Sequence, residues 1–114
     1  MAIKQSVEKS INDQINAELY SAYLYMSMAA YFHSLNLKGF ANWMEVQAKE
    51  EFVHAKMFYN FLVDRGGIVQ LRGIDTPPYK WESPEHVFAE SYKHEQFVTD
   101  RINKLMDLSI SESD

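Results

Sequence analysis

Glu51 and His54 are the residues whose types and spacing most directly suggest chemistry. In an α-helix, residues three positions apart lie on one face, about 4.5 Å apart along the axis, so this carboxylate and imidazole can bind one metal ion. Helical bundles that hold two metal ions in their core use such a Glu-x-x-His pair as part of the ligand set. The motif also arises by chance, so its meaning depends on the helices around it.

Length, charge and composition narrow the class of protein. The chain has 114 residues, enough for one domain, and a net charge of −5 with no cluster of Lys or Arg, so we expect cations rather than nucleic acid as partners. The absence of cysteine excludes disulfides, thiolate zinc sites and thiol catalysis. We find no apolar signal core at the N-terminus and no run approaching the roughly 20 apolar residues that cross a bilayer, so we expect a cytoplasmic protein without membrane association.

Apolar residues recur at three- and four-residue intervals in three segments, which predicts an all-α protein with long helices at about 5–33, about 37–65 and about 83–108. The short break between the first two predicts an antiparallel hairpin. The segment 66–82 contains glycines and a Pro-Pro pair and has no helical period, so we interpret it as a crossover. A connection of this length can return the chain along a bundle, which makes the third helix parallel to the second.

Three signals mark the ends of these helices. Gly66 follows the second helix at the position where a helix commonly ends in a left-handed residue. Ser83-Pro84-Glu85 combines a hydroxyl cap, a proline at the first helical position and an acid in the first turn. Residues 109–114 are mostly polar and without period, so we expect an irregular tail after the third helix.

Each predicted helix carries a glutamate on its apolar stripe: Glu18, Glu51 and Glu95. Burying an ionised carboxylate without a partner costs several kcal/mol, and converging acids also repel one another. Multivalent cations between them would make the arrangement favourable, and carboxylates with one imidazole suit divalent iron, manganese or zinc. The predicted inward face of the second helix comprises Phe40, Met44, Gln47, Glu51, His54, Phe58 and Phe61.

These residues predict a site for two metal ions in which Glu51 bridges both, Glu18 and His54 bind one, and Glu95 binds the other. So few protein ligands leave positions open for oxygen or peroxide, and oxygen ligands favour Fe(III) over Fe(II). Tyr25 lies one heptad after Glu18 and can either hydrogen-bond into the site, serve as an oxidisable group, or simply pack in the core. The alternative for any one of these acids is that the apolar stripe of its helix is assigned one residue out of register. Its side chain would then face water.

Other polar residues have simpler interpretations. We expect Glu50 to face solvent or a neighbouring helix, and His86 and His94 to lie on the surface. His33 falls at the end of the first helix, where a cation interacts favourably with the helix dipole.

The chain resembles the non-haem ferritins of bacteria and archaea in four motifs: Glu18 to Tyr25, Phe40 to Met44, Glu50 to Ala55 and Tyr92 to Gln96. The resemblance implies a four-helix bundle with a di-iron ferroxidase centre, in a 24-subunit homo-oligomeric shell that stores ferric mineral formed with O2 or H2O2. It also implies that Glu18, Glu51, His54 and Glu95 bind iron, that Tyr25 is the nearby tyrosine, and that Glu50 helps to hold a third iron. Haem-binding relatives have methionine where this chain has Phe52, so we expect no haem.

Members of that family continue into a fourth long helix, which completes the second iron site, and a short fifth helix. The present sequence is expected to contain only the first three helices, so an apolar face would be covered by another copy of the chain, by a separate polypeptide, or by the remainder of a longer product. Two other functions remain open at this point. One is a helical interaction module with an incomplete metal site, and the other is a di-iron peroxidase like rubrerythrin, against which the lack of cysteine counts.

Overall fold

The periodic segments of the sequence form long helices in the computed structural model, which describes residues 3–111. Within that range the helices are α1 (Gln5–Ser34), α2 (Lys38–Asp64) and α3 (Pro84–Ser111), and no strand is present. The all-α prediction is therefore confirmed. The molecule measures 52 × 21 × 21 Å, and its long dimension follows α1, whose 30 residues span about 45 Å.

A tight turn joins α1 and α2 into an antiparallel hairpin. Asn36 has a φ of 59°, a left-handed conformation that asparagine tolerates better than most residues. The amide of Asn36 donates to the His33 carbonyl at 3.0 Å, and that of Leu37 donates to the Phe32 carbonyl at 2.9 Å. These bonds satisfy carbonyls that the end of α1 leaves free, so the chain reverses at once.

The end of α2 has the same construction with glycine in the left-handed position. Gly66 has a φ of 73°, and its amide donates to the Val63 carbonyl, while the Gly67 amide donates to the Leu62 carbonyl. Leu62 lies so near Gly67 that an added Cβ there would meet it at 2.5 Å. The two glycines thus end α2 and send the chain into the crossover.

The crossover lies along α1 and is held there by α1 side chains. The Asn12 amide donates to the carbonyl of Ile68 at 2.9 Å, and the Ser27 hydroxyl donates to the carbonyl of Pro78 at 2.6 Å. Later residues of the crossover therefore contact later residues of α1, which means that the two segments run in the same direction. The chain returns to the end of the molecule where α2 began, and α3 runs parallel to α2 as expected.

The third helix begins as predicted and ends later. The Ser83 hydroxyl accepts a hydrogen bond from the His86 amide at 3.1 Å, which caps α3 ahead of Pro84. The expectation that the chain becomes irregular from residue 109 is wrong for residues 109–111, which continue the helix, and residues 112–114 lie outside the described range. Leu108 and Ser109 are partly buried, so the packed part of α3 includes the first residue of the segment whose polar composition suggested a tail.

Two clusters of buried apolar side chains lie along the helices, one on each side of Glu18. One lies towards the α1–α2 turn and the other lies towards the N-terminus of α1. Glu18 separates them on α1, because Ile15 belongs to the second cluster and Leu24 to the first. The buried members of the first are Leu24, Tyr25, Met28, Ala29, Phe32, Ala41, Met44, Ala48 and Val87, and those of the second are Val7, Ile11, Ile15 and Leu62.

The inward face predicted for α2 is partly wrong. Phe40, His54 and Phe61 are exposed, whereas Ala48, Ala55 and Leu62 are buried. The reason is that α2 packs against α1 with the face one residue later. Phe40 instead packs on Phe88 of α3, and His54 and Phe61 line a groove between α2 and α3. This groove has a volume of about 520 Å³ and is lined mainly by apolar side chains.

No helix in residues 3–111 combines the length and the apolar character that crossing a lipid bilayer requires.

Candidate metal centre

Glu18 on α1 meets Glu51 and His54 on α2 at the level between the two apolar clusters. The Nδ1 atom of His54 is 3.7 Å from Oε2 of Glu18 and 3.5 Å from Oε2 of Glu51. One ligand atom from each residue lies within 4.8 Å of the others. The antiparallel packing of α1 on α2 produces this meeting, since it sets residue 18 of one helix beside residues 51 and 54 of the other.

The two carboxylates are buried and incompletely satisfied. Glu18 is 0% exposed and Glu51 4% exposed, and within the described chain their Oε2 atoms have no hydrogen-bond partner. A buried polar atom without a partner costs about 1–3 kcal/mol, and more where it is charged. The His54 side chain is 47% exposed and closes the cluster from the side of the α2–α3 groove. Two unpartnered carboxylate oxygens beside an imidazole nitrogen form a donor set that fits a divalent metal ion.

Glu95 adjoins this group from α3. The Tyr25 hydroxyl donates to Oε1 of Glu95, and Tyr25 itself is almost fully buried. Glu95 also contributes, through its charge and hydrogen bonding, to the raised pKa of Glu51. Its oxygens lie outside the tight three-residue group, however. We call Glu18, Glu51, His54 and Glu95 the acidic centre.

The acidic centre shifts the ionisation of its members. Burial is the largest cause that raises the pKa of Glu51, and hydrogen bonding to and charge on Glu18 and Glu95 add to it, so that the pKa reaches about 9. Burial also raises the pKa of Tyr25, together with the hydrogen bond to Glu95. At neutral pH the metal-free centre therefore holds a protonated Glu51 and a neutral phenol.

This raised pKa has a consequence for stability. In metal-free protein we expect the free energy of unfolding to fall as pH rises from 7 to 9, by up to about 1.4 kcal/mol per pH unit. The native state keeps the Glu51 proton where the unfolded chain has lost it, so this contribution is complete below the ordinary value of 4.5 and is lost as pH passes through about 9. Denaturant unfolding of chelator-treated protein at several pH values measures the slope.

The fall in the free energy of unfolding between pH 7 and 9 can be assigned to Glu51 with a variant. Burial lowers the pKa of His94, so this histidine contributes a slope of the opposite sign, which fades as pH rises above its ordinary value of 6.5. Glu51→Gln carries no titrating group, and this variant should show a much flatter slope. An unchanged slope in Glu51→Gln would show that another group is responsible.

His94 is not the surface residue that its position suggested. It is half-buried, and its Nε2 lies 2.6 Å from the hydroxyl of Ser21, which in turn donates to the Ala17 carbonyl. Because the hydroxyl proton goes to Ala17, the Nε2–H of His94 is the donor to Ser21. The His94 ring also meets the Tyr25 ring edge-on, with centroids 5.8 Å apart. The pair Ser21 and His94 thus joins α1 to α3 beside the acidic centre.

Of the remaining polar residues, Gln14 contacts the acidic centre, whereas Glu50, His33 and His86 do not belong to it. Glu50 is exposed and does not belong to the group of possible metal ligands, so its role in a third iron site stays a prediction. His33 and His86 lie at the edge of the molecule and pair with Glu45 and Glu90. Gln14, which the sequence did not single out, is buried and hydrogen-bonded to Glu18. Its four-residue spacing from Glu18 was the available signal.

Comparison with known proteins gives a consistent result. The family model for the ferritin-like domain matches residues 8–114. The chain is 38% identical over 112 residues to the bacterial non-heme ferritin of Bacteroides fragilis, a match that covers 98% of this chain and 70% of the relative. It is 31% identical to the bacterial non-heme ferritin of an Escherichia coli strain, with 98% of this chain and 68% of the relative covered.

A solved structure agrees with these sequence matches. The open-pore ferritin of the hyperthermophilic archaeon Archaeoglobus fulgidus superposes with a TM-score of 0.96 at 48% sequence identity. The superposition covers 99% of this chain and 70% of the archaeal chain. The described helices and the crossover therefore have the arrangement found in that ferritin.

Proposed function

The chain belongs to the ferritin-like family, which binds and stores iron, and from this premise we propose that it binds Fe(II) at the acidic centre and oxidises it to Fe(III) for storage. The observation that carries the proposal is the pair of buried, unpartnered oxygens on Glu18 and Glu51 beside His54. Without a cation these groups destabilise the core. With Fe(II) between them, the same groups become ligands.

Each residue has a distinct role in the proposal. Glu18 and His54 bind one iron, Glu51 bridges two, and Glu95 binds the second. The closeness of His54 Nδ1 to both Oε2 atoms supports the first site, and the neighbouring Glu51 and Glu95 carboxyl groups support the second. Tyr25 holds Glu95 through its hydroxyl, and its raised pKa keeps it a hydrogen-bond donor at neutral pH.

Iron binding must remove the proton that Glu51 holds in the metal-free state. A carboxyl group coordinates a metal as the carboxylate, so uptake of Fe(II) releases this proton and becomes more favourable as pH rises. The half-exposed His54 side chain is the member of the acidic centre that lines the α2–α3 groove.

The oxidation balances between a pair of irons and one oxidant. Each Fe(II) loses one electron, and the two electrons reduce O2 with two protons to H2O2, or reduce H2O2 with two protons to two molecules of water. Ligands dominated by carboxylate oxygen stabilise Fe(III) more than Fe(II), because the higher charge gains more from anionic ligands. The proposed centre thus favours release of electrons from iron over retention of Fe(II).

Storage requires an assembly that can enclose ferric mineral, and we include a homo-oligomeric shell of the ferritin kind in the proposal. The α1–α2 face offers an apolar surface for such contacts, with Tyr23, Met26 and Phe52 all exposed. They line a groove of about 760 Å³. Light scattering with mass measurement in solution tests this part: a mass of one chain at micromolar concentration would exclude the shell.

Anaerobic titration with Fe(II), followed by exposure to O2, tests the proposed activity. We expect two Fe(II) to bind per chain in the complete assembly and to be oxidised rapidly when O2 is added. Absorption in the near ultraviolet reports Fe(III), and electrode measurement reports the O2 consumed. If the parent protein binds Fe(II) no more tightly than a Glu51→Ala variant does, the proposed oxidase activity is wrong. The alternative function, a helical interaction module, would then remain.

A further inference from the structure

Gln14 lies one helical turn before Glu18 on α1 and is 2% exposed. Its Nε2 donates to Oε1 of Glu18 at 2.9 Å. An amide oxygen in the place of Nε2 would be repelled by the carboxyl oxygen, so the N–H orientation is the one that fits this contact. The buried Gln14 side chain thus hydrogen-bonds to one oxygen of Glu18, a proposed iron ligand.

The hydrogen bond makes the two oxygens of Glu18 inequivalent. Oε1 is held by Gln14, whereas Oε2 lacks a partner in the described chain and lies 3.7 Å from His54 Nδ1. The terminal torsion of a glutamate side chain is broad and nearly two-fold, so packing alone does not select which oxygen faces a neighbour. The donor on one side makes this selection.

We propose that Gln14 is a positioning residue that fixes the Glu18 carboxylate with Oε2 directed to the iron, an inference that rests on the proposed function. A neutral amide suits this role because it orients the anion without adding a positive charge that would repel Fe(II). Gln14 also lines a groove of about 370 Å³ between α1 and α3, whereas Glu18 does not.

Asn12 provides a matched comparison on the same helix. It is also a buried amide, but its Nδ2 donates to the Ile68 carbonyl and its Oδ1 accepts from the Gln70 amide, each at 2.9 Å. Both of its polar atoms therefore hold the crossover and do not reach the acidic centre. Loss of Asn12 should weaken the fold, whereas loss of Gln14 should weaken metal binding.

Binding of Co(II) to the full chain, after treatment with chelator, tests the inference without iron oxidation. Gln14→Met has nearly the same volume and shape but no donor, and we expect its affinity for Co(II) to fall about 10- to 100-fold. Its visible absorption at saturation should also differ from that of the parent, because the Glu18 carboxylate is free to turn. Asn12→Leu should unfold at a lower temperature but bind Co(II) with the affinity and spectrum of the parent.

The outcomes separate this inference from the proposed function. If the parent binds Co(II) and Gln14→Met matches it in affinity and spectrum, Gln14 does not position Glu18. An equal loss of affinity in Asn12→Leu would likewise overturn the inference, because general loosening of α1 would explain both. A parent that binds no Co(II) would remove the proposed function, and the inference with it. Gln14→Leu replaces Gln14→Met if the latter does not fold.

Discussion

Glu51→Ala should reduce the affinity of the protein for Fe(II) by about 100-fold or more and abolish rapid oxidation by O2. Removing a residue that only hydrogen-bonds to a metal ligand lowers metal affinity about 10- to 100-fold, and removing the ligand itself should cost at least as much. Glu51 is the residue that adjoins Glu18, His54 and Glu95 alike, so its removal affects both proposed iron positions. Anaerobic equilibrium titration followed by stopped-flow mixing with O2 measures the two effects.

Asp64→Ala is the matched control for this variant. Asp64 is an exposed carboxylate on the same helix, about 20 Å along the axis from Glu51. In the metal-bound state, where Glu51 is ionised, the two substitutions remove the same negative charge, and Asp64→Ala does so without touching the acidic centre. If Asp64→Ala and Glu51→Ala lower iron binding equally, the effect is one of overall charge, and Glu51 is not a ligand.

His54→Ala should weaken the first iron position by about 10-fold or more while leaving the metal-free fold intact. The His54 side chain is 47% exposed, so its truncation removes little buried area, and we expect the free energy of unfolding to change by no more than about 0.5 kcal/mol. Calorimetric titration with Fe(II) under anaerobic conditions should resolve one weakened position and one that resembles the parent.

The metal-free protein provides the decisive control for His54. Circular dichroism during thermal unfolding should give nearly the same midpoint for His54→Ala and the parent after chelator treatment. A variant that unfolds where the parent remains folded would show that His54 is a packing residue rather than a ligand.

Much of the fold follows from spacing along single helices. The three- and four-residue periodicity places Glu18, Tyr25 and Phe32 on the buried face of α1, and the structure buries all three. The Glu51 and His54 pair follows from the same geometry. The signals for the end of α2 at Gly66 and the start of α3 at Ser83 act locally, through backbone conformation and capping, so they too could be predicted from the sequence.

Contacts between helices were harder to predict. His94 was expected on the surface because nothing in its own helix predicts the Ser21 hydroxyl that it meets on α1. Phe40 and Phe61 were expected to face inward, but α2 packs on α1 through the residues next to them, which leaves Phe40 against Phe88 and Phe61 on the α2–α3 groove. Periodicity identifies an apolar stripe to within about one residue, and packing against a neighbour decides which edge of it is buried.

The central claim is that the carboxylates of three helices converge on iron in a largely buried site. X-ray diffraction from crystals loaded with Fe(II) without oxygen, collected at the iron absorption edge, tests it most directly. We expect one anomalous peak within coordination distance of Glu18, Glu51 and His54, and a second between Glu51 and Glu95. Fully loaded crystals without an anomalous peak between α1 and α2 at the level of Glu18 would contradict the account.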